Sequence, residues 1–274
     1  MAHSMPVLVA PDAFGTGLRA SVVAAAIGRG LERAGLAPPD LCPVAGGGRG
    51  TIEVLLPALG GETADGFVVI EGGSAAIVEH AGSALQTGQH VAAAAASGAE
   101  VVIVAAGAPG TFDGGAEATE AIEDAGGLRG AALVVLCESR ASWAVAADDL
   151  RRDPRGVAMT AAGGGLAGAL WSRYDAQLVA GARFVLDELG FDVRMRAARA
   201  VIVGEARLDA QTLQGRVAGE IAVRARQAGV PCHAVVAANA LDPFDQRILD
   251  IQAIAGASTI EQIEVAGETL ARHM

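Results

Sequence analysis

Residues 201–216 read Val201-Ile202-Val203-Gly204-Glu205-Ala206-Arg207-Leu208-Asp209-Ala210-Gln211-Thr212-Leu213-Gln214-Gly215-Arg216. Three β-branched residues in a row predict a short buried strand, and the glycine behind them predicts where it stops. A helix is predicted over 211–227. Between the two stand Glu205, Arg207, Asp209, Gln211 and Thr212, five polar groups that a strand-to-helix turn gathers at one sheet edge. The planar fork of Arg207 suits a carboxylate or a phosphate, and Asp209 or Thr212 can cap the helix. A purely structural loop seldom carries so many polar groups, so this stretch reads as a functional site.

The same grammar recurs on both sides of it. Apolar runs at 7–10, 41–45, 66–71, 74–80, 101–106, 133–138, 233–237 and 252–255 predict strands, with Gly72-Gly73 a hairpin signal between two of them. Alanine-rich stretches predict helices over 20–34, 51–59, 87–99 and 176–189. In the first of these, Val23, Ile27 and Leu31 recur at helical spacing, with Arg29, Glu32 and Arg33 on the far face. Strand and helix alternating in this way predict an α/β protein with mainly parallel sheets. The expected organisation is two α/β domains: a discontinuous, doubly wound body of flavodoxin or Rossmann type from 1–59 and 196–274, and a second α/β domain inserted at 60–195.

Three more strand ends open into glycine-rich turns, which places several loops at the carboxyl edge of a sheet, where open α/β folds bind ligands. Pro11-Asp12-Ala13-Phe14-Gly15-Thr16-Gly17 offers Asp12, either to orient a hydroxyl or accept its proton, or merely to cap the next helix. Gly46-Gly47-Gly48-Arg49-Gly50-Thr51 opens a helix, where amides without neighbouring Cβ atoms could cradle an anion or simply make a tight turn. It fits neither the Walker A pattern nor GxGxxG followed by an acid. Gly107-Ala108-Pro109-Gly110-Thr111-Phe112-Asp113-Gly114-Gly115 holds Asp113, a general-base or magnesium-partner candidate set against an ordinary loop acid.

Composition removes other chemistries. All 20 cations of the 274 residues are arginine, and the net charge is −11. A chain without lysine forms no Schiff base and has no P-loop lysine. An acidic balance and few aromatic rings argue against nucleic acid. Cys42, Cys137 and Cys232 are odd in number and lie outside metal-ligand spacings, which predicts free thiols in a reducing cytoplasm. No signal peptide or membrane span is expected, because the uncharged run 156–172 is interrupted by Thr160 and glycines. Ala2-His3-Ser4 before a second methionine leaves two starts open, Met1 or, for a cloning remnant, Met5.

Taken together, these stretches and the glycine-rich 162–167 resemble the bacterial glycerate kinase family with two α/β domains. That family reads PDSFKGS, ADGGEGT, GGSATNDGG, AAGGLG and GEGRLDAQTL-x-GK in this order. The chain matches them at 11–17, 45–51, 107–115, 162–167 and, nearly intact, 204–216. The resemblance implies transfer of the ATP γ-phosphate to a hydroxyl of D-glycerate with Mg2+, a small hydroxy acid and a nucleotide as partners, and a cytoplasmic location. It fixes no metal ligands and no oligomeric state. Asp12 and Asp113 then become the catalytic carboxylates. Gly46, Gly47, Gly48, Arg49, Gly50, Thr51, Glu205, Arg207, Asp209, Gln211 and Thr212 become the groups that bind substrate and phosphate. Seven polar positions of the pattern differ, however: Ala13, Gly15, Gly17, Gly46, Arg49, Pro109 and Phe112 replace Ser, Lys, Ser, Asp, Glu, Ser and Asn. Two readings follow, an active kinase and a non-catalytic paralogue that binds a small acid or nucleotide or serves as an interaction protein.

Overall fold

A computed structural model describes residues 5–15, 17–80, 82–108, 114–144 and 150–274. Asp113, with Pro109 and Phe112, lies outside these described residues, as does the 1–4 segment. The chain divides into two compact units, Met1–Ala45 with Leu186–Met274, and Gly46–Val185.

The first unit opens with β1 (Val7–Pro11), α1 (Ala20–Arg33) and β2 (Asp40–Leu41). The second holds α2 (Thr51–Leu59), β3 (Gly61–Ala64), β4 (Phe67–Ile70), β5 (Ala75–Glu79), α3 (Ala84–Ala96), β6 (Val101–Gly107), α4 (Ala116–Asp124), β7 (Ala132–Cys137), α5 (Leu166–Tyr174) and β8 (Gln177–Ala180). Helix α6 (Gly181–Glu188) leads back to α7 (Phe191–Arg196), β9 (Ala200–Leu208), α8 (Val217–Ala228), β10 (Cys232–Asn239), α9 (Pro243–Leu249), β11 (Ile251–Gly256) and α10 (Ile260–Leu270).

In the first unit the sheet order is β11-β10-β9-β1-β2, with every pairing parallel. Every residue of β1 is buried, as a strand covered on both faces requires. Val7, Val9, Ile202 and Val235 point to a core closed by α1 and α10. The residues between them point the other way, and α8 packs against β9 and β10. Right-handed crossovers that step outward in both directions from β1 and β9 put helices on both faces, which makes this unit doubly wound. Its order, renumbered within the unit, is 2-1-3-4-5, the flavodoxin arrangement.

The second unit has the order β3-β4-β5-β6-β7-β8. The strands β3, β4 and β5 form an antiparallel meander, and β5 to β8 are parallel. Its crossovers all step in one direction, so they stack on one face, where Val78, Val104, Val135, Ile122, Leu166 and Leu170 form the core. Helix α2 packs on β4 and β5, which groups it with this unit.

Four expected elements differ in the structure. The run expected as one helix over 176–189 begins as β8, because Gln177 to Ala180 pair with Val134 to Cys137 of the buried β7. The second strand is only two residues long, not the five of 41–45. The strand expected to stop at Gly204 continues to Leu208, and the helix expected from 211 starts at Val217, since Gly215 at φ 107° interrupts it. Among the described residues, no helix is long and apolar enough to cross a membrane.

Candidate functional site

In an open sheet a crevice forms where the crossovers diverge, at the carboxyl ends of the two strands on either side. Here those strands are β1 and β9. The end of β1 delivers Asp12, whose amide donates to Gly204 O at 2.8 Å and whose Oδ1 accepts from Ala13 N at 2.6 Å. The last β1 pair is Pro11 with Gly204, whereas β10 accompanies β9 as far as Leu208. Glu205 and Arg207 therefore stand on a sheet ledge rather than in a loop, two residues apart and on the same face.

Glu205 is buried, and its Oε1 lies 3.3 Å from Nη1 of Arg216, whose Nη2 donates to Gln211 Oε1 at 2.6 Å. Arg207 Nε donates to Asp209 Oδ2 at 3.2 Å, leaving its side chain 57% exposed. Asp209 Oδ1 accepts from Gln211 N at 2.9 Å, and the Thr212 hydroxyl accepts from Asp209 N at 3.1 Å. Contrary to the expectation from sequence, neither Asp209 nor Thr212 caps the long helix. They brace a single 3-10 turn, Thr212–Gln214, and the residue at the start of α8 is Arg216, without a side-chain cap. The edge thus carries three carboxylates, Asp12, Glu205 and Asp209, and two guanidiniums, of which Arg207 is the outward one. A guanidinium of this kind recognises carboxylates and phosphates by paired hydrogen bonds.

At the carboxyl edge of the second unit, Gly107 N donates to Gly47 O at 3.1 Å, which ties the 46–51 loop to the end of β6. The buried Thr51 hydroxyl donates to Gly48 O at 2.6 Å, so its proton serves the loop itself. Gly47 and Gly50 have φ of 99° and 89°. The amides at the start of α2 are met from inside: Ile52 N donates to Glu79 Oε1 at 2.6 Å, and the Gly50 amide bonds the same carboxyl. The sequence leaves an external anion and a plain tight turn both open at this loop, and the Ile52 and Gly50 amides are taken by the chain's own Glu79. Burial raises the Glu79 pKa, while the two amides and Arg49 pull it down and Glu53 pushes it up.

Glu138 is the other carboxylate that sequence reasoning missed. A Cβ on Gly46 would stand 3.0 Å from its Cγ, and one on Gly48 2.5 Å from its Oε1 and 2.6 Å from Gly107 Cα. The loop's glycines make room for this side chain and for the strand end. Glu79 and Glu138 share one legible signal, an acid at the carboxyl end of an apolar strand. The glycines at 163–165 make an irregular turn with Gly163 and Gly164 in left-handed conformation, at φ 58° and 71°, and Gly163 N donates to Ala108 O at 3.2 Å beyond β6. Among the described residues, no three His, Cys, Asp or Glu side chains are grouped to hold a metal ion.

The profile of the glycerate kinase family matches residues 7–81 and 127–272, well over half of the chain. The chain is 26% identical to a glycerate kinase of Halalkalibacterium halodurans, with 84% of each chain covered. That alignment spans 322 positions, more than the 274 residues present, so the relative has segments that this chain lacks. An uncharacterised protein of Mycobacterium bovis is 27% identical, covering 91% of this chain and 83% of its own. Among solved structures, one from Salmonella typhimurium described as a candidate glycerate kinase 2 superposes with a TM-score of 0.71 at 21% identity, over 98% of both chains, a likeness of fold. With a profile match across well over half of its length that includes the whole 204–216 run, the chain belongs to the glycerate kinase family.

Proposed function

We propose that this chain is an active glycerate kinase that transfers the γ-phosphate of ATP to a hydroxyl of D-glycerate. The observation that supports the reading most is the β9 ledge, where Asp12, Glu205, Arg207, Asp209 and Arg216 meet at the diverging strand ends of the first unit. Arg207 binds the glycerate carboxylate or a phosphate, because it is the outward guanidinium of this edge. Asp12 orients the attacking hydroxyl and takes its proton. Glu205 holds Arg216, and Gln211, Asp209 and Thr212 fix the turn behind Arg207. Asp113 is the second carboxylate of this reading. In the second unit Arg49 lies near enough to Glu79 to lower its pKa, and it is the cation that the 46–51 loop offers a phosphate, while the Gly50 amide and the Thr51 hydroxyl hold the loop itself together.

Magnesium bound with ATP would supply positive charge against the phosphates. It takes one or two protein carboxylates and otherwise phosphate oxygens and water. The two substrates are then a small hydroxy acid and a nucleotide, and the location is the cytoplasm.

A coupled assay with ATP, Mg2+ and D-glycerate tests the reading. Turnover is expected, with kcat/KM in Arg207→Ala lower by about 100-fold, the size of effect of one lost transition-state donor. A wild-type rate no higher than that of Arg207→Ala would end the kinase reading and leave the binding paralogue.

A further inference from the structure

The sheets of this chain do not close all their edges alike. In the first unit the β2 edge is two residues long, and Arg194 sits on it, with Nη2 donating to Leu41 O at 2.8 Å and to Asp40 Oδ1 at 2.6 Å. In the second unit both edge strands, β3 and β8, are four residues long. The remaining edge is β11. It runs for six residues, Ile251-Gln252-Ala253-Ile254-Ala255-Gly256, without a charge or a proline, and its outer side pairs with no strand among the described residues. Natural proteins shorten, charge, bend or cover such an edge, because its backbone amides and carbonyls are a template for another strand.

The borders of this strand are apolar too. Ala253 and Ala255 pack on the core beneath α10, so Gln252 and Ile254 face the side of α8 and α9. Between α10 and the carboxyl half of β11, Ala255, Gly256, Glu261 and Val265 line a hollow of about 500 Å³, and Val265 is 56% exposed. On the other face, α9 leads into the strand with Phe244 and Ile248 exposed one helical turn apart. The charges sort by end. Helices α9 and α10 both start at the carboxyl edge of the sheet, with Asp245 and Glu261 in their first turns. At the opposite end, where α8 and α9 finish, their last turns carry Arg226 and Arg247, set against Asp250.

We infer that the β11 edge is a homodimer interface, on which a second copy of this chain lays its own β11 antiparallel about a two-fold axis. An axis normal to the sheet at the middle of the strand reverses the strand and keeps the two faces. It sets the arginine end of each copy against the acidic end of the other, with Arg247 toward the second copy's Glu261 and the reverse. A parallel pairing would lay like charges side by side. The antiparallel one also brings Val265 of both copies together over one face, and Phe244 and Ile248 over the other. Joining two five-stranded sheets gives ten strands, about the width that an open twisted sheet sustains. The inference goes beyond the kinase reading and does not depend on it.

The test is sedimentation of the full-length chain at concentrations up to about 100 μM. The wild type is expected at twice the mass of the chain. Val265→Lys, at an exposed position, should sediment as a monomer and keep the circular dichroism of the wild type. Arg247→Glu and Glu261→Arg should each raise the dissociation constant by about 10-fold, since the two-fold axis breaks two ion pairs with one substitution. The double variant restores both pairs and should recover most of the affinity. A wild type that stays monomeric throughout overturns the inference, as does a dimer that survives Val265→Lys or a double variant no tighter than the weaker single one. Mass is read without substrate, so absent turnover of D-glycerate would sink the kinase reading and leave the dimer standing.

Discussion

His233 sits in β10 at 1% exposure, and neither ring nitrogen has a hydrogen-bond partner. Its nearest ring is His273, with centroids 6.1 Å apart. Burial chiefly, and the second imidazole in addition, lower its pKa. The neutral form is thus favoured in the fold, while the unfolded chain takes up the proton near the usual 6.5. Stability from this group is complete above that pH and declines as the pH falls below it. His233→Leu should gain about 1 kcal/mol at neutral pH and lose less Tm than wild type between about pH 7 and 5. Equal slopes in a thermal melt series would contradict this. Glu205 predicts the opposite response to substitution. Arg216→Ala leaves its buried carboxylate without that guanidinium, and urea unfolding should show a loss of about 1–3 kcal/mol. An exposed pair such as Arg155 with Asp153 should be almost silent when broken.

The start of α2 is braced by a side chain from β5 rather than by a local cap, since Gly50 offers none. Glu79→Ala should therefore cost about 1 kcal/mol and loosen the first turn, which hydrogen exchange at Ile52 N would register. A tighter junction joins α1 and α10, where a Cβ on Gly30 would come 2.1 Å from Glu264 O. Gly30→Ala must push these helices apart, at about 1–3 kcal/mol by denaturant unfolding. How much of this was legible in the sequence depended on range. The strands 7–10, 101–106 and 133–138, the hairpin at Gly72-Gly73 and the helix from Ala20 could be read because local apolar pattern and tertiary burial agree. Gln177–Ala180 was read as helix because alanine-rich propensity pointed that way, and only pairing with β7 overrules it. Gly61–Ala64 escaped notice as a short, polar edge strand. At the site, the polar cluster around Arg207 was visible as one stretch. Glu79 was not, because its partner Ile52 lies 27 residues away.

Across the whole molecule, all three thiols are buried, and burial pushes Cys42 up to about 11 and Cys137 and Cys232 to about 12. Thiolate is the reactive form, so a disulfide reagent at pH 8 should modify none of them in the native protein and all three in denaturant. Cys137 lies in one unit, and Cys42 and Cys232 in the other. Single-cysteine variants would consequently time the opening of each unit separately. Rapid labelling of the native chain would show the burial to be transient. The same three thiols, set beside the absence of lysine, also shape how the molecule meets alkali. The only tyrosine, Tyr174, has its pKa raised by burial and by Glu123, and every cationic side chain other than histidine is a guanidinium. Between about pH 8 and 10, where lysine, cysteine and tyrosine ordinarily begin to give up protons, this chain has almost nothing left to release. Its buffering capacity should fall to a trough there, with net charge and ion pairing held constant. A potentiometric titration would trace that trough directly, and the stability curve above it should run level until the thiols begin to ionise.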